Sequence, residues 1–196
     1  MAFDVMSDVT DDMLLARYAA GDRQAARMLA DRLLPRVLGY AARLLGGDRA
    51  EAEDVAQEAM LRLWRMAPGW RAGEAKVSTW LYRVVTNLCT DRRRAAGRRE
   101  MAMGDDLPDA PDESPAAETQ LVEAARLKAL DQALASLSDR QREAVVLRHI
   151  EGLSNPEIAG IMGIGVEAVE SLTARGKRAL ASALAPRRHA LGYAED

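Results

Sequence analysis

Arg83, Asn87, Thr90 and Arg94 recur at i, i+4, i+7 and i+11, a spacing that sets all four on one face of an α-helix. Guanidinium groups, an amide and a hydroxyl are the side chains that contact phosphate oxygens and base edges. Beside them Trp64, Trp70, Trp80 and Tyr82 fall within nineteen residues, half of the eight aromatics in the chain. Unpaired bases stack on aromatic faces for roughly 1–3 kcal/mol each, so a basic stripe edged with aromatics points to single-stranded nucleic acid. Trp64 is expected in the core, with Trp70 and Trp80 closer to the stripe. A second charged stripe, Glu51, Asp54, Glu58, Arg62 and Arg65, lies opposite the apolar Ala52, Val55, Ala59 and Leu63. Two readings fit it: a solvated, salt-bridged face, or a docking surface for a basic partner helix. A third set, Glu167, Ser171, Ala174, Arg175 and Arg178 with Lys177 nearby, turns outward from the last long apolar-periodic run, as a recognition helix would.

The same inventory argues against catalysis. One cysteine, Cys89, and two histidines, His149 and His189, leave no multi-Cys zinc site and little for acid–base chemistry. There is no phosphate loop, no nucleophile with a base partner and no HExxH or CxxC pattern, so neither an enzyme nor a cofactor or metal is expected. Cys89 reads as a small packing residue.

The charge becomes informative only when divided along the chain. In total, 196 residues carry 27 Lys and Arg against 30 Asp and Glu, a formal net charge of −3, which alone weighs weakly against a nucleic-acid partner. Yet residues 67–100 hold eight basic against three acidic, net +5, while 101–125 hold seven acids and no Lys or Arg, net −7. The acidic block also contains Pro108, Pro111 and Pro115 and almost no large apolar residue between Leu107 and Leu121, so it cannot offset its own ordering entropy. It is a spacer, or a segment suited to a basic channel on a partner. No stretch reaches the 18 apolar residues of a membrane span, Asp4, Asp8, Asp11 and Asp12 stand where a secretory leader would be basic, and the lone cysteine suits a reducing compartment. These features lead us to expect a soluble cytoplasmic protein without membrane insertion.

The elements that must position these side chains are helices throughout. An all-α protein is expected, with two small helical domains joined by an acidic flexible linker: residues 1–100, a linker at 101–125, residues 126–186, and a tail at 187–196. In the first domain Pro35 is expected to end one helix and start the next, and Ser78 to cap a long helix from Thr79 to about Arg99 with a core stripe of Leu81, Val84, Val85 and Leu88. In the second, Leu127, Leu130, Leu134 and Leu137 form an apolar stripe. Ser138 to Gln141 and Ser154 to Glu157 read as capping boxes, the first opening a helix that ends at Gly152. From Asn155 to Leu172 the order is that of a helix-turn-helix, with Ala159 small at the crossing and Gly163 at the turn.

Taken together, AEAEDVAQEAMLRLWR (50–65), STWLYRVVTNLCTDRRRA (78–95) and LSDRQREAVVLRHIEGLSNPEIAGIMGIGVEAVESLTARGKRAL (137–180) resemble the extracytoplasmic-function (ECF) group of the bacterial sigma-70 family. The resemblance covers both domains in order. It implies that the first domain docks on the clamp helices of the RNA polymerase β′ subunit and recognises and melts the −10 promoter element, while the second reads the −35 element and contacts the β flap. By that resemblance Glu51, Asp54, Gln57, Glu58 and Arg62 belong to the polymerase-docking helix. Trp70, Trp80, Arg83, Asn87, Thr90, Asp91 and Arg94 belong to the −10 face, with the loop from Gly69 to Val77 capturing a flipped base. Glu167, Glu170, Ser171, Ala174, Arg175, Lys177 and Arg178 belong to the −35 reader. Core RNA polymerase, promoter DNA and an anti-sigma factor are the implied partners. Glu167 and Glu170, where relatives often carry Thr or Lys, and Gly165, where a Ser cap is common, depart from the pattern. The alternative, a stand-alone helix-turn-helix regulator, explains residues 126–186 but leaves the Trp-rich basic segment unused.

Overall fold

Thr10, Asp22 and Asp48 stand just ahead of three apolar-periodic runs, and each caps one. Thr10 Oγ1 accepts from the Met13 amide at 3.3 Å to open α1 (Asp11–Ala19). Asp22 Oδ1 accepts from the Gln24 and Ala25 amides at 2.9 and 3.2 Å to open α2 (Arg23–Leu44), and Asp48 accepts from Glu51 N at 3.0 Å to open α3 (Arg49–Met66). A 3₁₀ turn, Ala67–Gly69, and a short loop lead to the long α4 (Val77–Met103). The second half comprises α5 (Glu118–Ala135), α6 (Asp139–Val145) prolonged by a π-helical turn (Val146–Ile150), α7 (Asn155–Met162), α8 (Val166–Leu184) and a closing 3₁₀ turn (Ala185–Arg187). This computed structural model describes residues 9–73, 75–103 and 118–187. Most of the acidic block, the residues after 187 and the first eight residues lie outside them.

Four expectations give way to packing. Pro35 does not break the chain into two helices: α2 runs through it. The residue is exposed, so the Asp31 carbonyl its missing N–H leaves unpaired can face water, while Leu29, Leu33, Val37 and Tyr40 on the opposite side are all buried and hold both halves on one axis. Ser78 is not the cap of α4. Val77 is fully buried, and the Trp80 amide donates to the Lys76 carbonyl at 3.1 Å, so the helix starts two residues earlier. The buried stripe of α4 is also rotated from the expected one: Leu81, Tyr82, Val85, Thr86 and Cys89 are buried, whereas Val84 and Leu88 are half-buried. In the second half Ser138 occupies the N-cap position without a side-chain bond. The carbonyls at the end of the preceding α5 are served by Arg142, which donates to Leu134 O (2.9 Å), Ala135 O (2.8 Å) and Leu137 O (3.2 Å).

Other local readings hold. Glu157 accepts from the Ser154 amide at 2.9 Å and its hydroxyl at 2.7 Å, the reciprocal box that opens α7. Gly163 ends α7 at φ +64°, the left-handed region in which a side chain is strained. Of the apolar stripe on α5, Leu134 and Leu137 are buried and Leu130 half-buried, but Leu127 is 56% exposed. Helix α5 begins at Glu118, inside the stretch read as linker. Gly176 lets α8 cross α6 closely, since a Cβ there would lie 2.5 Å from Val145 Cγ2 and 3.3 Å from the Gln141 carbonyl. The buried apolar set is continuous from α1–α4 into α6–α8.

Candidate nucleic-acid interface

The three consecutive arginines Arg92, Arg93 and Arg94 project about 100° apart around α4, and their fates differ accordingly. Arg92 reaches across to α3, pairing with Glu51 and lying 3.7 Å from Asp54 Oδ2. Arg93 turns toward the second half, with Nη1 2.9 Å from Asp139 Oδ1 and within reach of the Leu44 carbonyl. Arg94 is exposed. With Arg83, Asn87 and Asp91, also exposed, and Thr90, half-buried, it forms the outward stripe expected of α4.

At the N-terminal end of that stripe the two tryptophans form an edge-to-face pair. Trp70 and Trp80 have ring centroids 6.5 Å apart at 78°, and Trp70 Nε1 donates to Asp12 Oδ1 at 2.7 Å. Trp64 packs edge-on against Tyr18 at 4.8 Å. All three tryptophans are half-buried, so burial does not separate Trp64 from the other two; their partners do. Asp12, on α1, escaped the sequence reading because it lies 58 positions before Trp70.

On α3, Asp54, Gln57 and Arg62 are exposed and Glu51 and Glu58 half-buried. Glu58 accepts from Arg62 Nε at 2.9 Å, an i,i+4 pair. The charged stripe is therefore laced along its own helix and tied to α4 by Arg92, a partner that helical periodicity within one segment does not reveal.

Every residue assigned to the third face, Glu167, Glu170, Ser171, Ala174, Arg175, Lys177 and Arg178, is exposed on α8. Arg175 Nε donates to the Ser171 carbonyl of its own helix at 3.3 Å, and Glu170 accepts from Asn155 Nδ2 at 3.3 Å, tying α8 to the first turn of α7. Gly165 stands at the N-cap with no side-chain bond. Cys89 is fully buried on α4, and burial pushes its thiol up to about 12, which keeps it neutral and unreactive near neutral pH. Among the described residues no group of three His, Cys, Asp or Glu side chains is placed to hold a metal ion, and no helix is long and apolar enough to cross a membrane.

A helical unit with an Arg, Asn and Thr stripe beside paired tryptophans, followed by a helix-turn-helix with an exposed second helix, defines a protein of the transcription-initiation class. Residues 29–99 match the family model for Sigma-70 region 2, and residues 127–180 that for Sigma-70, region 4. The chain is 36% identical over 175 residues to the ECF RNA polymerase sigma factor SigM of Mycobacterium tuberculosis, covering 89% of this chain and 85% of that protein. It is 30% identical over 186 residues to the ECF RNA polymerase sigma-E factor of Escherichia coli K12, covering 91% and 96%. Among solved structures it resembles CnrH in complex with the cytosolic domain of CnrY, at a TM-score of 0.64 and 28% identity over 90% of this chain and 97% of that one. The fold is likewise that of the sigma factor RpoE in its complex with the anti-sigma factor NepR from Bartonella quintana, at a TM-score of 0.69 and 24% identity over 81% and 96%. The chain belongs to the sigma-70 family and is an ECF sigma factor, a transcription initiation factor that works with core RNA polymerase on promoter DNA.

Proposed function

We propose that the three faces divide the work of initiation among three helices. The stripe of α3, Glu51, Asp54, Gln57, Glu58 and Arg62, docks on the β′ clamp helices. The stripe of α4, Arg83, Asn87, Thr90, Asp91 and Arg94, reads and melts the −10 element with Trp70 and Trp80, and the loop between Gly69 and Val77 captures an extruded base. The exposed face of α8 reads the −35 element. The observation that carries this reading is the position of the Trp70–Trp80 pair at the end of an exposed Arg and Asn stripe. Melting costs several kcal/mol and is offset by stacking and hydrogen-bonding bases outside the duplex, and this part of the molecule combines aromatic rings with amide and guanidinium donors. The protein acts in the cytoplasm, has no enzymatic activity of its own, and is held in check by an anti-sigma factor, as the sigma factor RpoE, whose fold it shares, is co-crystallised with the anti-sigma factor NepR.

The test separates the faces by the step each variant loses. With core polymerase and a cognate promoter, Trp80→Ala and Asn87→Ala are expected to abolish permanganate reactivity of the −10 region while binding polymerase normally. Asp54→Ala is expected to weaken polymerase binding itself. Normal melting by both α4 variants would overturn the assignment of that face.

A further inference from the structure

The outward face of α8 carries its charges in a definite order. Glu167 and Glu170 lie in the first two turns, Arg175, Lys177 and Arg178 follow from the third turn on, and all five are exposed. At 1.5 Å per residue the three cations stand about 8–12 Å further along the axis than Glu170. Of the two acids, Glu170 is the one held by a neighbouring helix. Asn155, the first residue of α7, donates its Nδ2 to Glu170 Oε1 at 3.3 Å. That bond reaches across the turn of the helix-turn-helix and leaves the carboxylate exposed, so its ordering is partly completed before any DNA arrives.

A carboxylate on a face that meets DNA is repelled by every phosphate, and a base-edge donor is the group that can offset that cost. In a helix-turn-helix the N-terminal residues of the second helix are the ones that contact base edges. The major groove offers two donors, N4 of cytosine and N6 of adenine. Adenine N6 lies between two acceptors, its own N7 and O4 of the paired thymine, and both oppose the second oxygen of a carboxylate. Cytosine N4 has an acceptor, guanine O6, on one side and a C5–H on the other. A carboxylate therefore suits cytosine. An amide of the same shape suits adenine, because it accepts from N6 and donates to N7.

We propose that Glu170, positioned by Asn155, is a specificity-determining residue that selects a cytosine at one position of the −35 element. This rests on the reading of α8 as the −35 reader. The division of labour follows the order of charge along the helix: Arg175, Lys177 and Arg178 supply the attraction to phosphate, and Glu170 gives up some of that affinity in exchange for discrimination between bases. One good base contact discriminates by roughly tenfold.

The test uses the full chain with core RNA polymerase on a cognate promoter whose −35 region is randomised, and the templates that yield transcripts are sequenced. The unmodified chain is compared with Glu170→Gln, Glu170→Ala and Asn155→Ala. The expected result is one position at which the unmodified chain favours cytosine by roughly tenfold, Glu170→Gln favours adenine and Glu170→Ala favours no base. Asn155→Ala is expected to weaken the cytosine preference at that position alone. An equal loss at every −35 position would make Asn155 a structural residue of α7 and overturn its positioning role. Unchanged base preferences in both Glu170 variants, or a base other than cytosine favoured by the unmodified chain at the position that changes, overturns the assignment of Glu170 and leaves α8 as the −35 reader. Loss of all specific transcription in both Glu170 variants also overturns it, since a single base contact is worth roughly tenfold and no more. Transcription by the unmodified chain that is indifferent to the whole −35 region overturns the reading of α8 and the proposal with it.

Discussion

The two helices proposed to face DNA, α4 and α8, are both long and amphipathic, and they are built in contrasting ways. Helix α8 presents its exposed residues on a helix-turn-helix completed within the second half, and the contacts of Arg175 and Glu170 stay inside that unit. Helix α4 is stitched to elements from the whole chain: Trp70 beside it is bonded to α1, Arg92 to α3, Arg93 to α6, Tyr82 to the end of the π-helical turn. A reader of duplex DNA can be a finished surface. The face proposed to receive melted strands is assembled from several elements and is partly covered by the second half.

The largest test of that contrast is Arg142→Ala. Arg142 is 8% exposed and its guanidinium serves carbonyls at the end of α5 and at the end of α2. Each unpaired buried acceptor costs about 1–3 kcal/mol, so a loss of about 3 kcal/mol in denaturant unfolding is expected, with the two halves melting as separate transitions. A single cooperative transition at unchanged midpoint would show that the halves are not coupled through this residue.

Gly176→Ala tests the self-contained half alone. The gain of about 1 kcal/mol from better helix propensity is outweighed by about 1–3 kcal/mol of overpacking against Val145 and the Gln141 carbonyl, a net loss near 1 kcal/mol in the second half with the first half unaffected.

Smaller and pH-dependent is Glu143→Gln, at the boundary between the halves. Burial raises the Glu143 carboxyl; Arg140 and Arg93 face it and oppose that shift, and Asp139 adds to it. A carboxyl whose folded-state pKa is raised favours the fold when protonated, and that contribution is lost as pH rises through the raised value. Glu143→Gln is therefore expected to stabilise the protein at pH 7, with the advantage shrinking as the pH is lowered toward 4. A stability difference independent of pH would contradict the burial of this carboxylate.

The smallest effect is expected of Lys76→Met. The Lys76–Glu157 pair bridges the halves at the surface, the lysine side chain being 72% exposed, and such pairs contribute at most about 1 kcal/mol and are screened by salt. Its effect on the denaturant midpoint should vanish at high ionic strength.

The contrast between the helices also explains what was legible in the residues. The charged stripe of α3, the outward stripe of α4 and the helix-turn-helix follow from periodicity within one segment, and their outward positions are exposed except Glu51, Glu58 and Thr90, which are half-buried. What escaped lies in contacts between segments. Asp12 under Trp70 and Glu151 under Tyr82 are ordinary surface acids until the fold brings them 58 and 69 positions along the chain to their partners. The rotated core stripe of α4 has the same origin, since Tyr82 meets Glu151 of the second half and Thr86 meets Tyr40 of α2. Pro35 shows a local rule overridden by a packed opposite face, and Ser138 holds the cap position without the cap bond.

The net charge of −3 divides into a basic α4 segment, an acidic block and a near-neutral remainder, and the basic segment is partly neutralised by Glu51, Asp54 and Asp139 within the fold. Promoter engagement is therefore expected to come through polymerase, which would supply the missing affinity as effective concentration. The most direct measurement is start-site mapping on a promoter library with core polymerase, with and without this chain, alongside a footprint of the chain alone on the same DNA. Specific start sites with the chain and no protection by the chain alone are the expected result. Protection of duplex DNA by the chain alone, with start sites no more specific than those of core polymerase, would contradict it.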